Sequence, residues 1–234
     1  MKSKKILDSN YFLLIMFFIL LSFLIINIVL FINGKSIDSY WINNGISFDS
    51  KYKYLGFISI ITGWLSEFLG VFGTILLGKK SKYFLPLILI SIIFGITNQI
   101  ISGVFFTALT YIFTLFLVSI TYFKWNNNED KEIKTISIVI QITIFISWIV
   151  FGFLFYSIIL PSSSIVLYNS LDVVSSAISI LSWWMILNKK KIGFVGFIIG
   201  DLLYVIMFSV IGLYVVAMGF ALYVVISILS INSY

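Results

Sequence analysis

Three acidic residues lie inside long apolar stretches of this chain, where a charged side chain is expensive. They are Glu67, Asp172 and Asp201. A charge at the centre of a bilayer costs about 2.5–3.5 kcal/mol on insertion scales, so such acids commonly mark ion or substrate pathways. The competing interpretation is that each acid caps or hydrogen-bonds a neighbouring helix. Depth along the helical rise favours a functional role for Glu67 and Asp201, and it leaves both interpretations open for Asp172.

The chemistry open to these acids is limited by the residue types that the sequence lacks. The chain contains no histidine and no cysteine, and all fifteen of its basic residues are lysine. Disulfides, thiolate chemistry, histidine-ligated metals and the commonest general base are therefore excluded, and we expect no cofactor, no metal and no catalytic residue. No lysine lies inside an apolar stretch. A cavity among these stretches would be acidic or neutral, which favours cationic or polyhydroxy molecules over phosphorylated ones.

Polar and aromatic side chains inside the apolar stretches are the next candidates for contacts with such a molecule. Asn98 interrupts the third stretch, and Tyr111 and Trp183 lie inside others. An aromatic ring in a membrane helix usually packs against neighbouring side chains. A ring that shares a face with an acid is a better candidate, because flat heterocycles stack on rings and cationic ones gain cation–π attraction.

The elements that must position these residues are apolar helices. Hydrophobic residues make up 61% of the 234 positions and charged residues only 10%, whereas a soluble domain carries about 25% charged residues. A membrane-spanning helix needs about 20 mostly apolar residues. We therefore predict an all-α polytopic membrane protein with eight transmembrane helices, over residues 11–33, 55–78, 83–102, 104–123, 136–160, 165–187, 192–211 and 213–232.

The positions of the lysines predict how these helices are oriented. Twelve of the fifteen lysines fall in four groups that eight crossings place on one side of the membrane, within residues 2–5, 79–82, 124–134 and 189–191. Because cytoplasmic loops accumulate lysine, both termini are predicted to lie in the cytoplasm, in a multi-pass protein of the cell membrane. The same rule explains the net charge of +6 without a nucleic-acid partner.

A repeat divides the predicted helices. Helices 2–4 and helices 6–8 each read as a long helix, a lysine-rich turn, a second helix, a very short outer turn and a third helix. We expect a single membrane domain, 1–234, with an extra N-terminal helix (11–33), a first three-helix bundle (55–123), a linker helix (136–160) and a second three-helix bundle (165–232). A single linker helix makes the repeat parallel, and transporter sites lie near the midplane where such repeats meet.

Two stretches, one in each half of the chain, follow the pattern of a known family. The first runs from Phe72 to Phe84 around a lysine turn, and the second passes through Leu171, Asp172, Ser179, Trp184, Lys189 and Asp201. Over about 55–125 and 165–232 the chain resembles the PnuC-like family of bacterial vitamin transporters. Members carry nicotinamide riboside, thiamine, riboflavin or deoxynucleosides. The resemblance implies the fold of the sugar-transporting SWEET proteins, with two three-helix bundles joined by one helix.

The strongest signature of that family lies on the second helix of its second bundle. There an asparagine–tryptophan pair is followed by a second tryptophan and then by an asparagine or aspartate, and the matching positions are Gly193, Phe194, Phe197 and Asp201. A glutamine that is usual in the third helix of the first bundle falls on Tyr111. The resemblance implies substrate contacts at Phe194, Phe197 and Asp201, which share one helix face at i, i+3 and i+7. Two rings and one carboxylate suit a flat ring that bears hydroxyl groups.

The mechanism that the resemblance implies is facilitated diffusion of a small aromatic vitamin or nucleoside by alternating access. A cytoplasmic kinase, as the metabolic partner, would trap the product by phosphorylation. The sequence contains no P-loop, so transport is expected to be passive or ion-coupled. Proton coupling through Glu67 or Asp201 stays open, and so does assembly into a homo-oligomer.

Two other function classes compete with a transporter that acts alone. A membrane-embedded substrate-binding component of a vitamin ABC importer would have a similar composition, although the repeat argues against it. An intramembrane aspartyl protease is suggested by Gly200 and Asp201, which match part of a GxGD pattern. Ile198 replaces the first glycine of that pattern. Asp172 and Asp201 are also predicted at different depths, whereas shared-proton catalysis needs two carboxylates about 3 Å apart. We therefore expect that this protein is not an enzyme.

Overall fold

Eight α-helices make up most of the part of the chain that the structure describes. The structure, a computed structural model, describes residues 9–32, 53–79, 81, 83–126, 138–159, 166–188 and 190–231. The helices are α1 (Asn10–Ile32), α2 (Lys53–Gly78), α3 (Phe84–Ile101), α4 (Phe105–Asn126), α5 (Ile138–Ile159), α6 (Val166–Leu187), α7 (Ile192–Ile211) and α8 (Tyr214–Ile231). Each begins and ends within one helical turn of its predicted bounds, and the predicted all-α class is confirmed.

Most of these helices have the character of membrane spans. Among the described residues, six helices are long and apolar enough to cross a membrane, namely α1, α2, α3, α5, α7 and α8. The helix α4 contributes a shorter apolar run, Phe105–Ser119. The helix α6 is less apolar because it carries polar residues, and several of these, such as Asp172, Ser175 and Ser176, are buried. The low hydropathy of α6 therefore reflects polar groups that face the protein interior.

Two short turns that contain glycine separate the last helices of each half. Gly103, between α3 and α4, has a φ of 72°, and Gly212, between α7 and α8, has a φ of 83°. Residues with a Cβ rarely adopt this left-handed conformation, which commonly ends helices. At the second turn the N–H of Leu213 donates to the carbonyl of Phe208 (2.8 Å), which closes the end of α7. The predicted separation of α7 from α8 is therefore confirmed.

The helices pack in a pattern that encloses a space between the two halves of the chain. Within the first half α2 packs on α3 and α3 on α4, and within the second half α6 packs on α7 and α7 on α8. The main contacts between the halves are those of α2 with α8 and of α4 with α6. The helix α5 packs mainly on α6, and α1 mainly on α2. The helices α2–α4 and α6–α8 thereby surround a common centre.

Glycines along α7 let this helix approach α6 closely. A side-chain carbon at Gly193 would come within 2.7 Å of the Ser182 carbonyl oxygen, and one at Gly196 would overlap the Ser182 hydroxyl. A side-chain carbon at Gly200 would lie 3.2 Å from the Ser179 hydroxyl. Small residues at such spacings allow membrane helices to pack with their backbones close together. This packing fixes the position of the acid that follows the last of the three glycines.

Candidate substrate-binding cavity

A cavity of about 90 Å³ lies between the two halves of the chain, and all six surrounding helices contribute to its wall. A site for a single water needs about 10–15 Å³, so the cavity has room for several such molecules. Its lining residues are Ser66, Gly70 and Thr74 of α2, Ile88, Ser91 and Ile92 of α3, Thr110, Tyr111 and Thr114 of α4, Ser179 and Trp183 of α6, Phe197, Asp201 and Tyr204 of α7, and Phe220, Tyr223 and Ser227 of α8.

Aromatic rings from three helices form two parts of the wall. Phe197 and Trp183 lie edge to face, with ring centroids 5.1 Å apart. Elsewhere the ring of Tyr204 lies 4.6 Å from that of Phe220, which meets Tyr223 edge to face at 5.8 Å. Aromatic pairs prefer such edge-to-face or offset arrangements, and they leave ring surface available to a further planar group.

Hydroxyl groups make the rest of the wall a surface that accepts hydrogen bonds. Ser66 Oγ donates to the Ser91 carbonyl (3.0 Å), and Ser91 Oγ donates to the Ser66 carbonyl (2.8 Å). Thr74 and Thr110 each donate to the carbonyl four residues earlier in the same helix, at 2.9 and 3.0 Å. Each hydroxyl has only one proton to give, so its remaining lone pairs are acceptors. The wall therefore suits a molecule that brings its own hydrogen-bond donors.

The charge of the cavity comes from one carboxyl group. Among the described residues that line the cavity, Asp201 is the one that carries a charged group, and it is 7% exposed. The carboxyl of Glu67 interacts electrostatically with that of Asp201, and both carboxyls interact electrostatically with the Tyr111 hydroxyl. All fifteen lysines lie outside the eight helices or in their end turns, so no base neutralises this charge within the membrane interior. Among the described residues no cluster of acids is of a size to hold a metal ion. The cavity is suited to a cation.

The structure brings four of the predicted site residues together. The four that line the cavity are Tyr111, Trp183, Phe197 and Asp201. They come from α4 and from the consecutive helices α6 and α7, which lie far from α4 along the chain. Whether these side chains bind a substrate stays a prediction.

Three further predicted site residues lie outside the cavity wall. Phe194 is fully buried and packs beside Phe197, with ring centroids 6.4 Å apart. Asn98 accepts a hydrogen bond from the Ser59 hydroxyl (2.7 Å) and lines a separate small pocket near α1. Glu67 also lines a small pocket beside α1, and its carboxyl meets the hydroxyl of Tyr223. Tyr223 thus lies between Glu67 and the cavity.

Several lining residues were not among the predicted site residues. Tyr204 lies three positions after Asp201 on the same helix face, so helical spacing from Asp201 could have indicated Tyr204. No acid or other charged residue lies in α8 to draw attention to Phe220 and Tyr223. The lining serines and threonines carry no local signal that separates them from ordinary membrane-helix residues.

The third membrane acid, Asp172, lies outside the cavity in a hydrogen-bonded cluster. Its carboxyl accepts hydrogen bonds from Thr107 of α4 (2.6 Å), from Tyr156 of α5 (2.5 Å) and from Ser176 of its own helix (3.3 Å). Ser176 in turn bonds the hydroxyl of Tyr204 (2.9 Å), which reaches the cavity wall. Asp172 therefore joins α4, α5 and α6, and it supports one wall residue indirectly.

Comparison with known proteins gives one family and one related structure. The sequence matches the model of the family described as nicotinamide mononucleotide transporter over residues 59–233. A crystal structure described as that of the vitamin B3 transporter PnuC is similar, with a TM-score of 0.57 and 15% sequence identity, over 92% of this chain and 87% of that chain. No curated protein matches the sequence. At 15% sequence identity, this structural similarity supports the fold alone.

Proposed function

The chain belongs to the nicotinamide mononucleotide transporter family, and from this premise we propose that it carries a nicotinamide nucleoside across the cell membrane. The proposed route is the cavity between α2–α4 and α6–α8. The proposed substrate is a nucleoside of the nicotinamide riboside type, with a flat ring, a positive charge on that ring and ribose hydroxyls. Thiamine, which also has a cationic ring, is the runner-up among the vitamins.

The observation that carries this proposal is a cavity with one carboxylate, several aromatic rings and no base. A pyridinium ring beside Phe197 and Trp183 gains cation–π attraction of about 0.5–2 kcal/mol. The Asp201 carboxylate attracts the same positive charge, and in a low-dielectric interior this attraction exceeds its value in water. Ribose hydroxyls can donate to the acceptor oxygens of the serine and threonine hydroxyls that line the wall. Each part of the proposed molecule therefore has a matching part of the wall.

The same charge argument favours the nucleoside over its phosphate ester. Phosphate groups in proteins are bound by arginine, lysine or helix N-termini. The cavity wall offers neither lysine nor arginine, and Asp201 would repel a phosphate. A mononucleotide is therefore the poorer substrate for this chain.

The proposed mode of transport is facilitated diffusion by alternating access. We infer two three-helix bundles, α2–α4 and α6–α8, and the matched contacts of α2 with α8 and of α4 with α6 support this division. A cytoplasmic kinase that phosphorylates the product would keep it inside the cell. The termini and the lysine turns would then face the cytoplasm, because lysines accumulate in loops on that side of the membrane. An impermeant thiol reagent that labels a cysteine placed at Lys190 from outside intact cells would contradict this orientation.

The direct test of the proposed substrate is uptake by the full-length protein alone, reconstituted into liposomes. We expect uptake of labelled nicotinamide riboside without ATP and without ATPase subunits, and at least tenfold less uptake of nicotinamide mononucleotide. Equal uptake of the two would refute the charge argument. A requirement for ATPase subunits would instead favour the substrate-binding component of an ABC importer.

The aromatic part of the site is tested by a matched pair of substitutions. Losing the ring of Phe197 in Phe197→Ala should weaken affinity for nicotinamide riboside about tenfold or more, since ring stacking on a base contributes about 1–3 kcal/mol. The control is Phe116→Ala, because Phe116 is 63% exposed on the lipid-facing side of α4. Calorimetry on both proteins gives the affinities, and thermal melting shows whether they fold. Unchanged affinity in Phe197→Ala together with a lowered melting temperature would assign Phe197 to packing.

A further inference from the structure

A seam of polar groups runs between α1, α2 and α8, outside the proposed substrate cavity. It contains two small pockets of about 10 Å³ each. The polar residues of the first pocket are Asn27, Ser59 and Asn98, and the polar group of the second is the Glu67 carboxyl. Each pocket has about the room that one water molecule needs. Both pockets also share Val215 of α8, so they are neighbours along the seam.

The first pocket presents oxygen atoms that accept hydrogen bonds. The Asn27 amide nitrogen donates to the Phe23 carbonyl (3.2 Å), which leaves its Oδ1 without a partner among the described residues. Asn27 is only 1% exposed. The Oδ1 of Asn98 accepts from Ser59, and Gly63 lies beside it with no side chain to block the space. A water or hydronium ion in this pocket would find acceptors for its protons.

The second pocket encloses a carboxyl oxygen that lacks a hydrogen bond. Glu67 is 4% exposed, and its Oε2 accepts no hydrogen bond from the part of the chain that the structure describes. A side-chain carbon at Gly219 would overlap this carboxyl, so the glycine leaves room for it beside α8. Trp64 Nε1 donates to the Leu20 carbonyl (2.8 Å), which holds α1 over the pocket. The carboxyl is thus enclosed by α1, α2 and α8.

The spacing of residues on α2 makes these pockets parts of one path. Ser59, Gly63 and Glu67 are four residues apart and share one face of the helix. At 1.5 Å per residue, Ser59 and Glu67 are about 12 Å apart along the axis. Beyond Glu67 the path meets the hydroxyl of Tyr223, which also lines the central cavity. The two neighbouring pockets therefore lead from Ser59 to Glu67, and Tyr223 connects Glu67 with the cavity.

We propose that Glu67 is a proton-binding site that is loaded along this seam and linked to the substrate cavity through Tyr223. A hydronium ion in the seam gives a proton to Oε2, which forms an O–H bond and leaves a water molecule. A proton fits the small pocket, and acidic side chains with polar neighbours are the usual proton carriers of membrane transporters. The fully hydrogen-bonded Asp172 does not have this free oxygen.

The groups that face Glu67 from the surrounding helices define how the site responds to pH. Tyr223 of α8 contacts the Glu67 carboxyl, Tyr111 of α4 and Asp201 of α7 interact with it electrostatically across the cavity wall, and α1 contributes Leu20 and Phe23 to the pocket. None of these is a base, so Glu67 has no partner of opposite charge among the residues that the structure describes. A cationic substrate in the cavity would favour the ionised form of Glu67 and release its proton. By linkage, raising the pH should then strengthen binding of that cation, and this part rests on the proposed function.

The proton site itself can be tested without any substrate. We expect infrared spectra of the full-length protein in lipid to contain a carboxylic acid band that changes with pH, and we expect Glu67→Gln to lack it. On transfer to heavy water this band should exchange severalfold more slowly in Ser59→Ala than in the wild type. Thr97→Val is the matched control, because Thr97 is exposed one residue before Asn98. Identical spectra for wild type and Glu67→Gln at every pH would overturn the proposal.

Two further measurements keep the outcome decisive. If Glu67→Gln does not fold, the exchange rates of Ser59→Ala and Thr97→Val decide, and equal rates would overturn the proposed path. The link to the cavity is tested by the affinity for nicotinamide riboside at several pH values. Release of one proton makes that affinity rise up to about tenfold per pH unit in the wild type, and Glu67→Gln should show no such slope. Absence of nicotinamide riboside binding at every pH would instead overturn the proposed function and leave the infrared result standing.

Discussion

The surroundings of Asp172 and of Glu67 differ in the number of hydrogen bonds that each carboxyl receives. Thr107, Tyr156 and Ser176 all donate to Asp172, which is fully buried. Glu67 is almost as buried, yet its Oε2 has no donor among the described residues. A buried polar group without a partner costs free energy, whereas a satisfied one can stabilise the helices that it joins. Two acids at comparable burial therefore have different hydrogen-bonding environments.

This comparison predicts a structural role for Asp172 and a role in transport for Glu67 and Asp201. Asp172 has the surroundings of a residue that holds α4, α5 and α6 together, as the structural interpretation of the sequence allowed. Asp201 faces a cavity and Glu67 faces a small pocket, so both can interact with a transported substrate or ion. Stability measurements test the structural role of Asp172, and ligand affinities test the binding role of Asp201.

The largest effect is expected from removing the carboxyl of Asp172. In Asp172→Ala three buried hydroxyl donors lose their acceptor, and each such loss costs about 1–3 kcal/mol, so the free energy of unfolding should fall by about 3 kcal/mol or more. Thermal melting in detergent measures this change against the wild type. Ser22→Ala is a suitable control, since the Ser22 hydroxyl bonds only its own helix on α1 and is exposed. An unchanged melting temperature in Asp172→Ala would remove the distinction between the two acids.

A smaller effect, on affinity instead of stability, is expected at Asp201. Asp201→Asn keeps the shape of the side chain and removes its charge, so a cationic substrate loses an electrostatic attraction that a neutral one never had. Affinity for nicotinamide riboside should fall roughly tenfold, which corresponds to about 1.4 kcal/mol. Affinity for a neutral nucleoside such as uridine, measured in parallel by calorimetry, should change less. Equal losses for both ligands would indicate that Asp201 acts through hydrogen bonds and not through charge.

The fold could be predicted closely from the sequence because a bilayer imposes simple requirements on the chain. Each span must be about 20 apolar residues long, and groups of lysines lie between the spans on one predicted side of the membrane. Even the short turn at Gly212 could be located, since a glycine there permits the left-handed conformation that ends α7. The predicted family and the transporter class are likewise confirmed by the family model, which matches residues 59–233.

The candidate site was only partly predictable because its parts come from distant positions. Phe197 follows from the family resemblance, and Asp201 is indicated independently by its place inside an apolar stretch. The two residues share one helix face. Phe194 lies on nearly the same face but turns into the packed core, which spacing alone cannot reveal. The partners of Asp172 come from other helices, so no local pattern in the sequence could show that this acid is satisfied. Contacts between helices decide these roles.

The smallest stability effect is expected from replacing the Glu67 carboxyl by an amide. Glu67→Gln keeps the side-chain shape, and at Oε2 it removes no hydrogen bond that a described residue donates. The free energy of unfolding should therefore change by less than about 1 kcal/mol, or rise, because the substitution removes an acid that has no counter-charge from an apolar environment. Asp172→Asn is the matched substitution at the other acid, and it should lose more stability because Thr107 and Tyr156 donate to different carboxyl oxygens, of which the amide keeps only one. Melting curves of the two variants under the same conditions decide the matter: if Glu67→Gln were destabilised as much as Asp172→Asn, Glu67 would be a structural residue like Asp172, and its availability to a proton would have to be given up.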